Sequence, residues 1–440
     1  MKPKDLLPRL AFVLALVFFA YLGGFFSCHF KVFPHDFLVR AIEQGVQVSE
    51  QGAQPSHHIH LARHDFSGVH RPAGAKVADG AILVTSYWPE FDWGPGLRLL
   101  DRDGKELHSW NADPRRIWSE SPHQDGLRGA FLLPTNYVHG SYLFENGDVL
   151  FSIEYLGLVR MNAAGEVIWK LDRRTHHSVT RNERGNFWVP SARWLEGPTD
   201  VANRFPGLTP PLAEDIALEV TPDGTVVREA SVLAAIFANP VTRRAIWTVG
   251  TQRGADLLHV NDVEELPTAM AAAYATLKAG DLLVSVRELD LVFAMDPDTL
   301  AMKWWSVGPY HRQHDPDFLG DGTISVFGNN EDGSLDGDFL GGSRLWQIGI
   351  ASGSATQIYP RGVPGERRFY TPAGGKAQRL PDGHWLLTEA RAGRVFEVDG
   401  EGRTVWEWCH QRYDDRTICE VLEGTFYPLT AEDVRRWTKQ

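Results

Sequence analysis

HGSYLFENG (His139–Gly147), HSVTRNERG (His177–Gly185) and HDPDFLGDG (His314–Gly322) each place a histidine eight residues ahead of the glycine of a polar turn. A fourth stretch, GKAQRLPDG, reaches its turn at Gly383 with Gly375 where the histidine would stand. A strand-like run follows every one of these glycines. One local pattern repeated at long, irregular intervals marks a repeat architecture. A chemically rare residue at one position of the unit points to a site built on the axis of the array.

Working outward, similar units succeed one another from about residue 70. DGAILVTSYW is followed by a run to Trp110, NGDVLFSIEY by GLVRMNAAGEVIWKLD, and RGNFWVP by DIALEVTPDGTVVREA. AGDLLVSVRELD precedes LVFAMDPDTLAMKWW, DGTISVFGNN precedes SRLWQIGIASGSATQIY, and DGHWLLTEA precedes GRVFEVDGEGRTVWEW. Period-two alternation with Gly and Asp at the turns reads as hairpins. With the segment before each turn glycine as a further strand, every unit is a four-stranded meander. Six such sheets set radially give an all-β fold, a six-bladed β-propeller over 71–410, which leaves only short edges. The 15 tryptophans then pack sheet against sheet. The helix formers of Leu266–Leu277 read as an insertion between the first two strands of the fourth unit, which puts His259 at the same unit position as His139, His177 and His314.

The ends of the chain read differently. Leu10–Phe26 is uncharged and follows Lys2, Lys4 and Arg9, which predicts an N-terminal transmembrane helix (residues 1–27 with a cytoplasmic tip) and a propeller in the periplasm or extracellular space. Residues 28–70 are expected to form a stalk, with His57, His58, His60, His64 and His70 in a solvated linker. Residues 411–440 are expected to be a polar tail with a short helix at Thr430–Trp437, where Thr430 and Asp433 have capping-box spacing. A formal net charge of −12 excludes nucleic acid as a partner, since its backbone rewards clustered Lys and Arg. Three cysteines are too few for a disulfide framework or thiolate metal site; Cys409 and Cys419 read equally as one bridge or as two thiols.

In a propeller the first strand of each blade borders the central channel, and the second runs back antiparallel. A residue about seven past the turn glycine therefore returns to the mouth at which the histidines lie. These residues are Arg287, Glu154 and Asn329, so spacing alone gathers His139, His177, His259, His314, Arg287, Glu154 and Asn329 around one funnel. Imidazoles with a guanidinium suit a small tetrahedral oxyanion, and imidazole is a nucleophile and a proton carrier near neutral pH. Three of the imidazoles would also suit zinc or copper, but spread over separate blades they are expected to lie too far apart. No metal is assigned.

The run Leu282–Asn330, with THHSV around His177 and LLHVNDVEEL around His259, resembles the bacterial arylsulfotransferases, and the resemblance extends over about residues 80 to 410. It implies a six-bladed propeller outside the cytoplasm that moves a sulfuryl group from a phenolic sulfate to another phenol, with no nucleotide sulfate donor and no cofactor. By the same resemblance His314, in QHD, is the nucleophile, His177 and His259 support it, and Arg287, in SVR, binds the sulfuryl oxygens. His139, Asn329 and Glu154 are assigned to substrate binding. Ser178 departs from the acidic residue that often follows the HH pair.

The expected partners are a small-molecule phenolic sulfate donor and a phenol acceptor, together with the membrane and a homo-oligomer or membrane complex. The competing reading is a catalytically silent propeller that binds a ligand or partner. Convergence of His314, His177, His259 and Arg287 on one point separates the two.

Overall fold

The computed structural model describes residues 6–30, 58–123, 137–249 and 256–437 of the chain, which divides into Met1–His57 and His58–Gln440. In the first part a helix runs over Leu6–Phe30. Most of its described side chains are exposed and apolar, among them Phe12, Leu14, Val17 and Phe19. Among the described residues no helix is long and apolar enough to cross a membrane, so the expected transmembrane span is not established. The stalk residues 31–57, including His57, lie outside the described residues.

The second part is a six-bladed propeller. Alternating, β-branched-rich runs closed by Gly turns form six sheets of antiparallel strands. Blade two is Val138–Leu143, Val149–Ile153, Gly157–Met161 and Val167–Leu171, and blade five is His314–Phe318, Thr323–Gly328, Arg344–Gly349 and Ala355–Tyr359. Apolar clusters lie between neighbouring blades all the way round. Leu83 and Leu97 pack with Val149 and Phe151, Trp188 with Val260 and Phe293, and Trp406 with Ile82 and Val84. The last of these contacts joins blade six to blade one. Trp110, Trp188 and Trp406 are fully buried, and each such large side chain contributes about 1.5–3 kcal/mol by leaving water.

Two boundaries differ from expectation. Blade one takes its innermost strand from the C-terminus: Glu423–Tyr427 pairs with Ala81–Trp88, register Glu423↔Thr85 to Tyr427↔Ala81. Residues past 410 are therefore part of the ring. The cause is the strand Ala81–Trp88, whose eight residues are all buried and whose inner edge needs a partner. The helix Ala431–Trp437 follows, with the Thr430 and Asp433 side chains each accepting from the other's backbone N–H (3.2 and 2.8 Å).

The N-terminal histidines are likewise not a solvated linker. Gly68–His70 adds a fifth strand to blade six, and Ile59–Leu61 pairs with Thr417–Cys419. His58 and His60 share the buried Glu420 (2.6 and 2.9 Å), His64 meets Glu389 (3.1 Å) and His70 meets Glu407 (3.0 Å). A buried carboxylate must be paired, and these imidazoles supply the partners. Cys409 and Cys419 are free, buried thiols.

The innermost strands carry the feature that shapes the site. Register slips follow the histidine in three of them, between Val138 and Ser141, Val260 and Asp262, and His314 and Asp317. Such bulges bend a strand and re-aim its side chains.

Candidate active site

The four histidines converge. The His139 and His177 rings lie 4.0 Å apart, His177 and His259 4.8 Å, and His177 and His314 6.2 Å between centroids. Backbone geometry makes room for this. Gly140, next to His139, sits where a Cβ would meet the His177 carbonyl oxygen at 2.1 Å. His177 and His259 have φ of 54° and 53°, a left-handed conformation that costs a non-glycine residue about 1 kcal/mol or more and concentrates at working sites. The sixth copy has Gly375 for a physical reason: its φ is +112° and a Cβ would lie 2.6 Å from the Phe327 ring.

Each imidazole is held by a different partner. His314 Nδ1 lies 2.7 Å from Asn329 Oδ1. The Asn329 amide cannot be turned round, because its Nδ2 donates to the carbonyls of Thr371 (2.9 Å) and Gly374 (2.6 Å). His314 Nδ1 must therefore carry the proton and donate it, which leaves Nε2 with a lone pair. That Nε2 is buried and has no hydrogen-bond partner. His259 Nδ1 donates to Asp256 (2.7 Å), and its Nε2 is likewise unpartnered. His177 Nδ1 meets His176 Nδ1 at 3.0 Å. Arg287, in the short 3₁₀ turn after Leu282–Val286, rests its Nε and Nη2 on Glu288 (3.1 and 2.8 Å), and Glu288 also holds Arg312 (3.1 and 3.0 Å).

Electrostatics keep the cluster neutral. Loss of water pushes the pKa values of all four imidazoles down, His139 to about 3 and His177 and His314 well below the usual histidine range. The Arg287 charge adds to this at His314 and His259. At His259 the Asp256 carboxylate offsets part of the effect. A neutral, unhydrated imidazole with a free lone pair beside a guanidinium is an arrangement for attack on an anionic centre.

The arylsulfotransferase (ASST) family model matches residues 140–412 of the chain, which takes in His177, His259, Arg287 and His314. The chain belongs to the arylsulfotransferase family. It is accordingly a sulfotransferase enzyme that moves sulfuryl groups. No curated protein sequence matches it. Among solved structures it is similar to a protein of unknown function from Bacteroides caccae, with 13% identity over 75% of this chain and 93% of that one and a TM-score of 0.48. It is also similar to a catalytically inactive virginiamycin B lyase from Staphylococcus aureus with quinupristin, with 12% identity over 61% and 69% of the two chains and a TM-score of 0.35. Likenesses so remote carry no argument about activity.

The remaining residues of this arylsulfotransferase fall as follows. Asn329, expected at the substrate, instead orients His314. Glu154 lies beside the strand of His139: its amide donates to the carbonyl of Tyr137 (3.1 Å), whose ring is 5.7 Å from that of His139, and its charge helps raise the buried Tyr87 hydroxyl. The imidazoles are nearer one another than their spread over separate blades suggested. Even so, the side chains whose ligand atoms converge tightly enough for an ion, among the described residues, are Asp382, His384 and Glu397, and there Arg102 already pairs with Glu397.

Beside the cluster runs a column of carboxyl groups that spacing did not single out. Asp262, Asp315 and Glu423 line a cavity of about 30 Å³ together with Lys376, His139 and His314. Lys376 pairs with Glu423 (2.7 Å) and lies 3.7 Å from Asp315. Glu264 accepts from the Phe318 amide (2.7 Å). Burial first, then repulsion among these acids, raises Asp262 and Glu264 to about 8. The signal was present in the alternating acids of VNDVEE and HDPDF, one to five residues after the histidines.

Proposed function

We propose that the chain transfers a sulfuryl group from an aryl sulfate to a phenol through a sulfohistidine at His314. The lone pair of its Nε2, directed away from the hydrogen bond to Asn329, carries this reading. In the first half-reaction the Nε2–S bond forms as the S–O bond to the aryl group breaks, and the phenolate leaves with the electron pair. Arg287 and His177 hold the sulfuryl oxygens, where charge must be met in the transition state. His259 handles the proton. Its Asp256 partner makes it a stronger base than burial alone would leave it, and the arriving sulfate anion favours its protonated form further. It gives that proton to the departing phenolate and takes one back from the acceptor phenol, whose oxygen then displaces His314 from sulfur. The neutral resting His259 takes up that proton from solvent as the sulfate anion binds and returns one to solvent as the product leaves, so every group ends in its starting state.

The proposal extends to placement: Leu6–Phe30 anchors the protein in a membrane, with the propeller outside the cytoplasm. Large apolar side chains are exposed along it, and Lys2, Lys4 and Arg9 precede its uncharged run Leu10–Phe26. Protease added to spheroplasts should degrade the propeller while cytoplasmic controls survive; a protected propeller would reverse the topology.

The chemistry is tested by mixing enzyme with a chromogenic aryl sulfate, quenching rapidly and mapping the adduct by mass spectrometry. One sulfuryl group on His314 is expected, absent in His314→Ala together with turnover. Transfer by His314→Ala at the native rate would overturn the assignment. Arg287→Ala should cost about 2.7–4 kcal/mol of transition-state stabilisation, as for other lost oxyanion donors.

A further inference from the structure

Neighbouring large apolar side chains held in water mark an interaction surface. The propeller has such a patch on the loop that joins the second and third strands of blade five, Thr323–Gly328 and Arg344–Gly349. Leu335 and Phe339 at the tip of this loop are 76% and 80% exposed, and Leu340 is exposed beside them. The loop is firmly built. Asp332 accepts from the amides of Ser334, Phe339 and Leu340 (2.9, 2.8 and 3.0 Å). Gly337 lies so near the Tyr370 ring that a Cβ would meet it at 2.6 Å. Its apolar tip is therefore presented outward by a fixed backbone.

Beside the tip lies a cavity of about 580 Å³, with the exposed Leu335 and Leu61 at its rim. Most of the acids here are already engaged. Glu331 pairs with Arg312, Asp338 with Arg368, and Glu389 with Arg394 and His64. Asp336 is the acid of the loop left over. Three guanidinium groups have no carboxylate partner among the described residues. Arg63 donates to the carbonyls of Tyr370 and Leu335, Arg344 donates to that of Leu340 (3.2 Å), and Arg391 lines the cavity. Guanidinium groups of this kind pair with phosphate through two hydrogen bonds. Apolar tips beside them match the profile of a phospholipid surface, apolar below and anionic above. The net charge of −12 does not oppose this, because charges beyond about 8 Å are screened at physiological salt. Covalent continuity favours lipid over a protein partner: the helix Leu6–Phe30 leads through residues 31–57 to His58, just ahead of Leu61 and Arg63.

We infer that this face of the propeller docks on an anionic phospholipid surface, with Leu335, Phe339 and Leu340 entering the apolar boundary and Arg63, Arg344 and Arg391 meeting lipid phosphates. The inference rests on the anchor reading of Leu6–Phe30 and adds a second membrane contact, made by the propeller itself.

The test uses the full chain reconstituted in vesicles of phosphatidylcholine and phosphatidylglycerol. In a Cys28→Ser background, where Cys409 and Cys419 are buried, a fluorophore is attached at Asp336→Cys, which leaves the apolar tip intact. The control label is at Val227→Cys, which is 52% exposed on the outermost strand of blade three, Val226–Ser231, beside the turn at the opposite end of the ring. A nitroxide on the lipid acyl chains should quench the label at 336 severalfold more than the label at 227. Leu335→Ser combined with Phe339→Ser should bring the two level; both side chains are exposed, so the change spares the core. Vesicles without phosphatidylglycerol should quench less, since each arginine near an anionic leaflet contributes about fivefold in affinity. Equal quenching at both labels in the unsubstituted tip would overturn the inference. A label at 336 that is shielded from aqueous iodide but not quenched by the acyl-chain nitroxide would show a protein covering the face, and would overturn it too. If alkaline carbonate strips the chain from the vesicles, the anchor reading fails, and flotation of the stripped chain with fresh vesicles decides. Co-flotation lost in Leu335→Ser with Phe339→Ser supports docking; no co-flotation, or co-flotation indifferent to that pair, removes it.

Discussion

His314 differs from the other imidazoles in the neutral amide that holds it. A carboxylate at Nδ1, as His259 has in Asp256, favours imidazolium, whereas the Asn329 carbonyl orients the ring and adds little charge. With desolvation and Arg287 both acting downward, His314 stays unprotonated well below the usual histidine pKa of about 6.5. Protonation at Nε2 abolishes the nucleophile, so the acid limb of adduct formation should fall well below pH 6.5 in single-turnover experiments. A limb at or above 6.5 would contradict the burial argument. Asn329→Ala should slow adduct formation about 10- to 100-fold, the scale of a lost hydrogen bond to a buried group. It should also lower stability, because the Thr371 and Gly374 carbonyls lose their donor. The histidine positions were legible because the unit repeats them at one spacing. Asp256, His176 and Glu288 carry no such repetition, and each is recognisable only once its neighbour's ring or guanidinium has a direction in space.

At the scale of elements, the ring closes by a strand the repeat pattern cannot reveal. Glu423–Tyr427 lacks the histidine-to-glycine signature and pairs with Ala81–Trp88, more than three hundred positions away. The same remoteness hid the partners of the N-terminal histidines, whose hydrogen bonds join residues 325 to 362 positions apart. Blades two to six were readable because their turns, alternation and tryptophans are local. A chain ending at His410 therefore removes more than a tail. It bares the inner edge of a fully buried strand, deprives Lys376 of Glu423 and frees the N-terminal segment from Glu420. An exposed, apolar edge strand pairs with other chains, so this truncation should aggregate even in detergent, while a chain ending at Thr430 should stay dispersed in detergent. A dispersed sample with a native-like circular dichroism spectrum from the chain ending at His410 would show the closure strand to be dispensable.

For the whole molecule, the axis sets two opposed dependences of stability on pH. The buried imidazoles have lowered pKa values. An unfolded chain binds protons at these positions more readily below about pH 6.5, so their contribution to stability is lost on acidification. The carboxyl column acts the other way. Asp262 and Glu264 are raised to about 8 from unfolded values near 4, so between those limits the folded state binds the extra protons. Their contribution is fully present below about pH 4 and is lost as pH rises through about 8. Total stability should therefore peak between the two losses. The carboxyl share is isolated by comparing the native protein with Asp262→Asn, which keeps shape and removes the ionisation. The thermal midpoint of Asp262→Asn minus that of the native protein should grow as pH rises from 5 to 9, and Glu264→Gln should behave alike. A difference that stays flat across that range would mean the column is already ionised in the folded state, with its charge met by Lys376 and its neighbours.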